Sequence, residues 1–310
     1  MNYPSRTAIV NSVKYPALIK DEFFKGGILT LLPNGKPKCW SGGFSMVFQI
    51  RQHGTLYSFK IWHTELAENA KRYYVIREKL ISCGLPYFPK FEYVLKGMLV
   101  DGNAMDTHRM EWVNGKPLKE YIYDHLHESK KLLDLAARFQ AMVFDFHKFN
   151  IAHGDLQHGN IIVQPDGSLV VIDFDSMFVE SLDGMPDLIK GQGGYQHPGR
   201  YYNQEIHHKI DYFSELVIYI SLIVYADHPN LYNPETDWLL FSKEDLESPD
   251  TSEIFKLLKT SANPKISIMM STLHGFLRCE DISQLLPLES ILKSKIKTSI
   301  PLINNITNKF

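Results

Sequence analysis

His153-Gly154-Asp155-Leu156-Gln157-His158-Gly159-Asn160 runs into Ile161-Ile162-Val163 and then into Val170-Val171-Ile172-Asp173-Phe174-Asp175; this stretch decides how the chain folds. Asn160 stands five residues after Asp155, and Asp173 follows thirteen residues later. A polar loop followed by a strand pair thus carries a carboxylate, a carboxamide and a second carboxylate. Phosphoryl transfer from a nucleotide needs one carboxylate to orient or deprotonate the attacking hydroxyl, and oxygen ligands for the metal ions that bridge the phosphates. Read alone, the same residues also describe an ordinary polar turn between a helix and a hairpin. The surrounding sequence separates the two.

Around this stretch the chain changes character. Short runs rich in β-branched and aromatic residues, Ser45 to Arg51, Leu56 to Trp62, Phe91 to Leu95 and Thr107 to Val113, lie near His-Gly, Asp-Gly and Asn-Gly turns, as antiparallel strands do. Thr64 to Ser82 is rich in helix formers, with Tyr73, Ile76 and Leu80 at helical spacing. After Gly115 helical periodicity takes over. Lys130 to Phe149 repeats Leu132, Leu133, Leu135, Ala136, Phe139, Met142, Val143 and Phe146 along one side, and a second helix is expected over Tyr212 to Tyr225. The pattern predicts an α+β fold with a strand-rich part, a helical part and the polar loop in the helical part.

At 310 residues the chain has room for a sizeable core, and 44% hydrophobic with 22% charged residues is ordinary for a globular protein. A formal net charge of −2 argues against nucleic-acid binding driven by phosphate neutralisation. The 13 histidines form no His/Cys cluster of zinc-ligand spacing. Three scattered cysteines, Cys39, Cys83 and Cys279, suit a reducing cytoplasm. No basic patch followed by an apolar core opens the chain, and the longest apolar run, Leu216 to Ala226, is short for a membrane helix. The lysines Lys256, Lys259, Lys293, Lys295 and Lys297 read as solvated helix faces. Neither a nucleic acid nor a membrane is expected as a partner.

With these elements in order, the chain from about Lys36 to at least Tyr225 resembles the protein-kinase-like superfamily, and within it bacterial serine/threonine-kinase-type proteins with a His-Gly-Asp catalytic loop. The resemblance implies a two-lobed fold: a lead-in over 1–34 packing on the lobes, a small β-rich N-lobe with one main helix over 35–113, and a larger, mostly helical C-lobe over 114–310. Its implied cofactors are ATP and Mg²⁺. Trp40-Ser41-Gly42-Gly43-Phe44-Ser45-Met46-Val47 resembles a glycine-rich phosphate loop whose first and third glycines have become Trp40 and Ser45. Gly42, Gly43, Phe44 and Val47 are its nucleotide-binding candidates, in a loop expected to be stiff. Lys60 interrupts an apolar strand, where an ammonium needs an anionic partner, and the phosphates would supply one. Ser58 takes the place beneath the adenine ring. Met110-Glu111-Trp112-Val113 resembles the hinge, with Met110 at the back of the pocket and backbone groups of Glu111 and Val113 on the adenine edge.

On the same resemblance, Asp155 is the base or hydroxyl orienter, Asn160 and Asp173 are the metal ligands, and Lys60, Asp155 and Asn160 form the catalytic set. His153 packs and bonds the loop, and Asp211 opens the helix that holds it. Several positions depart from the pattern. Counting along the helix puts Ile76 where kinases place a glutamate for the lysine, with Glu68 and Glu78 facing elsewhere. Either the register differs or Lys60 lacks its usual partner. Gln157 replaces a phosphate-contacting lysine, and His158 is expected to pack the loop. Gly199 stands in for a structural glutamate, and Asp175 for a glycine that permits a peptide flip. Asp175 is expected to hydrogen-bond the loop and oppose that flip. The segment from Ser176 to Gln196 has few hydroxyls (Ser176, Ser181, Tyr195) and is expected to pack without depending strongly on phosphorylation.

Three functions follow in order of preference. The first is an ATP- and magnesium-dependent kinase acting on serine or threonine of a protein, with signalling partner proteins. The second is a nucleotide-binding pseudokinase scaffold, and the third a small-molecule phosphotransferase.

Overall fold

The computed structural model describes residues 3–202 and 204–294. Lys295 and Lys297 lie outside them. The first elements are a helix, α1 (Arg6–Val13), and two short strands, β1 (Ile28–Leu29) and β2 (Cys39–Ser41). Two long antiparallel hairpins follow, β3 (Ser45–Gln52) with β4 (Thr55–Trp62) and, after the helix α2 (Asn69–Cys83), β5 (Phe91–Val100) with β6 (Asn103–Glu111). Each hairpin closes on two residues, His53-Gly54 and Asp101-Gly102, and all four have positive φ between 48° and 84°. That backbone has the twist that suits paired antiparallel strands. Among the described residues the strands form one sheet in the order β1-β3-β4-β6-β5, with β2 beside β3.

Side chains alternate across a strand, and paired residues share a face. Val47 and His108 lie opposite Lys60, and Gln49 and Met110 opposite Ser58. Val47, Ser58, Lys60, His108 and Met110 therefore line one face of the sheet. The other face carries Met46, Phe48, Ile50, Phe59 and Ile61, which form a separate apolar core with Ile9 and Val13 of α1 and with Phe24. The lead-in is thus part of the sheet's packing, with a helix that strand patterning did not foreshadow. The helix expected from Thr64 begins only at Asn69, after Glu68 turns the chain in a left-handed conformation.

Beyond Glu111 come β7 (Lys116–Pro117), α3 (Leu118–Asp124) and α4 (Ser129–Lys148), followed by the short strands β8 (Ile151–Ala152), β9 (Ile161–Val163), β10 (Leu169–Val171) and β11 (Phe178–Val179). The helices α5 (Tyr212–Asp227), α6 (Lys243–Glu247), α7 (Glu253–Lys259), α8 (Pro264–Phe276) and α9 (Leu288–Ser294) complete the large part. In α4 the buried residues are those of the predicted apolar stripe except Leu133, which is 44% exposed because it falls off the buried side of the helix. In α5 every residue from Tyr212 to Tyr225 is buried, which makes it the central helix of this part. The arrangement is α+β, a β-rich N-terminal sheet with one main helix joined to a helical C-terminal part.

Candidate active site

The hairpin of β9 and β10 explains how residues distant in sequence meet. Val171 pairs with Ile161, and the Ile172 amide donates to the Asn160 carbonyl at 3.0 Å, so Asn160 and Asp173 emerge side by side. The loop before the hairpin is held from several sides. Asp211, buried at the start of α5, accepts the backbone amides of His153 and Gly154. His153 donates through Nε2 to the Ile172 carbonyl at 2.9 Å. Gly154 has φ +79°, and a Cβ there would stand 2.0 Å from the Ser176 carbonyl oxygen, so the loop and the segment after Asp175 touch where only glycine fits.

Lys60 on the sheet face defined above meets Asp173 and Asp175, and Asn160, beside Asp173 at the hairpin, meets Asp155. Lys60 Nζ lies 2.6 Å from Asp173 Oδ1 and 2.7 Å from Asp175 Oδ2. Asn160 Nδ2 donates to the Asp155 carbonyl at 2.9 Å and to Asp155 Oδ2 at 3.2 Å, and the Gln192 amide donates to Asp155 Oδ1 at 2.8 Å. With its nitrogen committed to Asp155, Asn160 keeps its oxygen for a cation. Together with Asp173 it presents hard oxygen donors of the kind a small divalent ion takes, the rest of the shell coming from water and phosphate. The donor set fits such an ion.

Electrostatics follow from burial. Lys60 is 4% exposed, and burial works against its charge, but the two carboxylates outweigh that and raise its pKa above the ordinary lysine value. Burial also opposes ionisation of Asp173, yet the Lys60 ammonium holds it below the usual carboxylate value. Asp175 is pushed up, by burial first, as is Asp155, for which Asp173 adds to the push while the Gln192 bond and His153 oppose it. Burial and the neighbouring Lys60 lower His108 to about 3, so the ring stays neutral. The charge that meets the two carboxylates therefore comes from Lys60 and not from His108.

Glu68 pairs with Lys71 and Glu78 with Arg77, both at the surface, while Ile76 is fully buried. Asp175 does more than bond its own loop: its carboxylate reaches Lys60 on β4 and also accepts from Tyr73 Oη at 2.5 Å and Trp62 Nε1 at 3.3 Å. Gly42 and Gly43 form the exposed turn before Phe44 and Ser45, and the Gly42 carbonyl accepts from Arg6 of α1 at 2.9 Å. Trp40, where a glycine was expected, packs against Trp112 at 4.9 Å between ring centres. The loop is thereby tied to the hinge and to the lead-in. Ser58 Oγ donates to the Met110 carbonyl at 3.2 Å, and Trp112 donates its amide to Leu56 at 2.9 Å, fixing the chain through exposed Glu111 to half-buried Val113.

Tyr195 is not an accessible hydroxyl. It is fully buried, 2.5 Å from His158 Nδ1, and accepts the Leu239 amide at 3.0 Å. Gln157 turns back to accept the Gly159 amide at 2.6 Å, so it brings no charge to the site. Arg200 carries no motif and escaped the sequence reading. It is 1% exposed, forks onto Asp187 at 3.0 and 3.1 Å, and donates to the carbonyls of Gly154 and Ile189 and to Gln196 Oε1. No spacing rule could have matched it to Asp187.

A buried lysine on the sheet beside Asp173, with Asn160 and Asp155 next to them, supports assignment to the protein-kinase-like superfamily, whose fold implies nucleotide binding with a metal ion. Residues 107–181 match the model of the ABC1 atypical kinase-like domain. The chain is 24% identical over 147 residues to a "probable serine/threonine-protein kinase" of Dictyostelium discoideum, covering 44% of this chain and 35% of that protein. It is 30% identical over 97 residues to an EKC/KEOPS complex subunit of Schizosaccharomyces pombe, covering 31% of this chain and 36% of that protein. The chain thus spans about a third of the length of these relatives. Among the described residues no helix is long and apolar enough to cross a membrane.

Proposed function

We propose that this chain is an ATP- and Mg²⁺-dependent kinase that transfers the γ-phosphoryl group to serine or threonine of a protein. The observation that carries the reading is the convergence of Lys60, Asp173, Asn160 and Asp155 beneath Val47, Ser58 and Met110. In this reading Lys60 steadies the phosphates, Asn160 and Asp173 hold Mg²⁺, and Gly42, Gly43 and Phe44 cover the phosphate end. Ser58, Met110 and the backbone at Glu111 and Val113 receive adenine. The acceptor hydroxyl passes its proton toward Asp155 as its oxygen bonds the γ-phosphorus and ADP departs. The Dictyostelium relative's name supports the choice of acceptor. We place the lobe boundary after Val113 and the lead-in before 35, and the site of action in the cytoplasm, which free Cys39, Cys83 and Cys279 suit.

A second reading, a nucleotide-binding subunit of a protein assembly, draws on one contact and one name. Asp155 already has both oxygens engaged, by Gln192 and Asn160, and one relative is a complex subunit. Purified protein incubated with γ-labelled ATP, Mg²⁺ and generic protein substrates, beside an Asp155→Ala control, separates them. Label transfer that the control loses supports the kinase. Nucleotide-dependent thermal stabilisation with no transfer refutes it in favour of the assembly subunit.

A further inference from the structure

Two departures from the kinase pattern lie on different elements, and the structure connects them. Ile76, which counting along the sequence puts in the slot of the lysine's carboxylate, is apolar and buried, and Glu68 and Glu78 of the same region pair elsewhere. Asp175 places a carboxylate where a glycine was expected, and its Oδ2 lies 2.7 Å from Lys60 Nζ. We propose that Asp175 is the positioning residue for Lys60, supplying from the loop after β10 the negative charge that α2 lacks. The proposal rests on the kinase-like reading of the cleft given above.

The two carboxylates on Lys60 are not equivalent. The Asp173 side chain is 45% exposed and that of Asp175 is 7% exposed. The exposed Asp173 carboxylate bonds Lys60 through Oδ1 alone and is free to reorient toward a cation, which would draw its charge away from Lys60. Asp175 has no such freedom, because Tyr73 Oη at 2.5 Å and Trp62 Nε1 at 3.3 Å hold its other oxygen. Arg72 on α2 also donates to the Asp175 carbonyl at 3.4 Å. Lys60 therefore keeps one buried, charge-assisted partner throughout, and its ammonium stays aimed when Asp173 is taken up elsewhere. Without Asp175, Lys60 and a metal would compete for the same Asp173 carboxylate. Helix α2 still takes part, through a tyrosine hydroxyl in place of a carboxylate.

Asp175→Asn discriminates between roles. Its amide oxygen still accepts from Tyr73, so loop packing survives, but its NH₂ group faces Lys60 donor to donor. The variants are D175N, D175A, K60M and K60M/D175N. Two quantities are read: kcat with labelled ATP, and the Mg²⁺ concentration at which ADP half-maximally stabilises the protein against heat, which involves no turnover. The expected result is that D175N and D175A each lower kcat on the order of tenfold or more. D175N should also shift the Mg²⁺ midpoint several-fold upward. Adding D175N to K60M should change neither quantity. A D175N protein at the wild-type rate beside an impaired D175A makes Asp175 a packing residue and overturns the proposal. So does a D175N effect that persists undiminished in K60M, which marks a direct metal ligand. Wild-type protein with no nucleotide response overturns both this assignment and the kinase-like reading; a wild-type response with additive variants overturns this assignment alone.

Discussion

Replacing Arg200 by methionine tests what holds the catalytic loop against the segment that follows it. Arg200 and Asp187 are each 1% exposed at the side chain, so neither charge is hydrated. The guanidinium makes two bonds to Asp187 and three more to Gly154, Ile189 and Gln196. Removing one partner of a buried pair costs about 3–5 kcal/mol, because the other charge stays behind unpaired. Lys190, 3.2 Å from Asp187, retains part of the compensation and keeps the loss toward the lower end. The expected effect of Arg200→Met is therefore about 3 kcal/mol. Urea unfolding followed by circular dichroism reads it directly. Asp187→Asn combined with Arg200→Met should be less destabilised than Arg200→Met alone, since no buried charge is stranded. A loss below about 1 kcal/mol, the worth of an exposed ion pair, refutes the argument. So does a double variant as unstable as the sum of the singles.

Three further outcomes are expected. Asp155→Asn should lower transfer about 10²- to 10⁴-fold while ADP still stabilises the protein; a radiometric assay beside a thermal melt checks both. Gly154→Ala should lower both the melting temperature and the rate, because its Cβ meets the Ser176 carbonyl at 2.0 Å and its φ is +79°; wild-type values for both would contradict the close approach. His147 sits 2.8 Å from Glu215 and 2.8 Å from Glu289, and despite its burial these carboxylates raise it to about 9. A folded-state value above the unfolded one stabilises fully below about pH 6.5, and that stability is lost as pH rises through 9. The effect is on the order of 2 kcal/mol, visible as a slope in urea midpoints between those pH values that His147→Gln should flatten.

The polar loop and its hairpin were legible because their residues are local. Asp155, Asn160 and Asp173 fall within one loop and one hairpin, so their spacing along the chain already implies closeness in space. Lys60 was legible for a different reason: a cation in an apolar strand needs an explanation, and period-2 alternation put it on the same face as Val47, Ser58 and Met110. Helix α1 was not legible, because so short a helix depends on burying Ile9 and Val13 in the core that also holds Phe48, Phe59 and Met105. That the segment around Tyr195 packs was expected, but its partners, His158 and the Leu239 amide, were not legible.

By itself, the sequence determined the α+β order of elements, the two helices α4 and α5 and the strands β3, β4 and β6, and it marked Lys60 as a cation in need of an anionic partner. It left open whether a glutamate of α2 reaches Lys60, and the structure pairs Glu68 and Glu78 elsewhere. Only the tertiary structure decided what takes that role, bringing Asp175 to Lys60 and Tyr73, Arg200 to Asp187, and Gln192 to Asp155. The physical reason is range. Periodicity and turn chemistry act over a few residues, whereas the neighbours of a buried charge come from any part of the chain that packing carries past it.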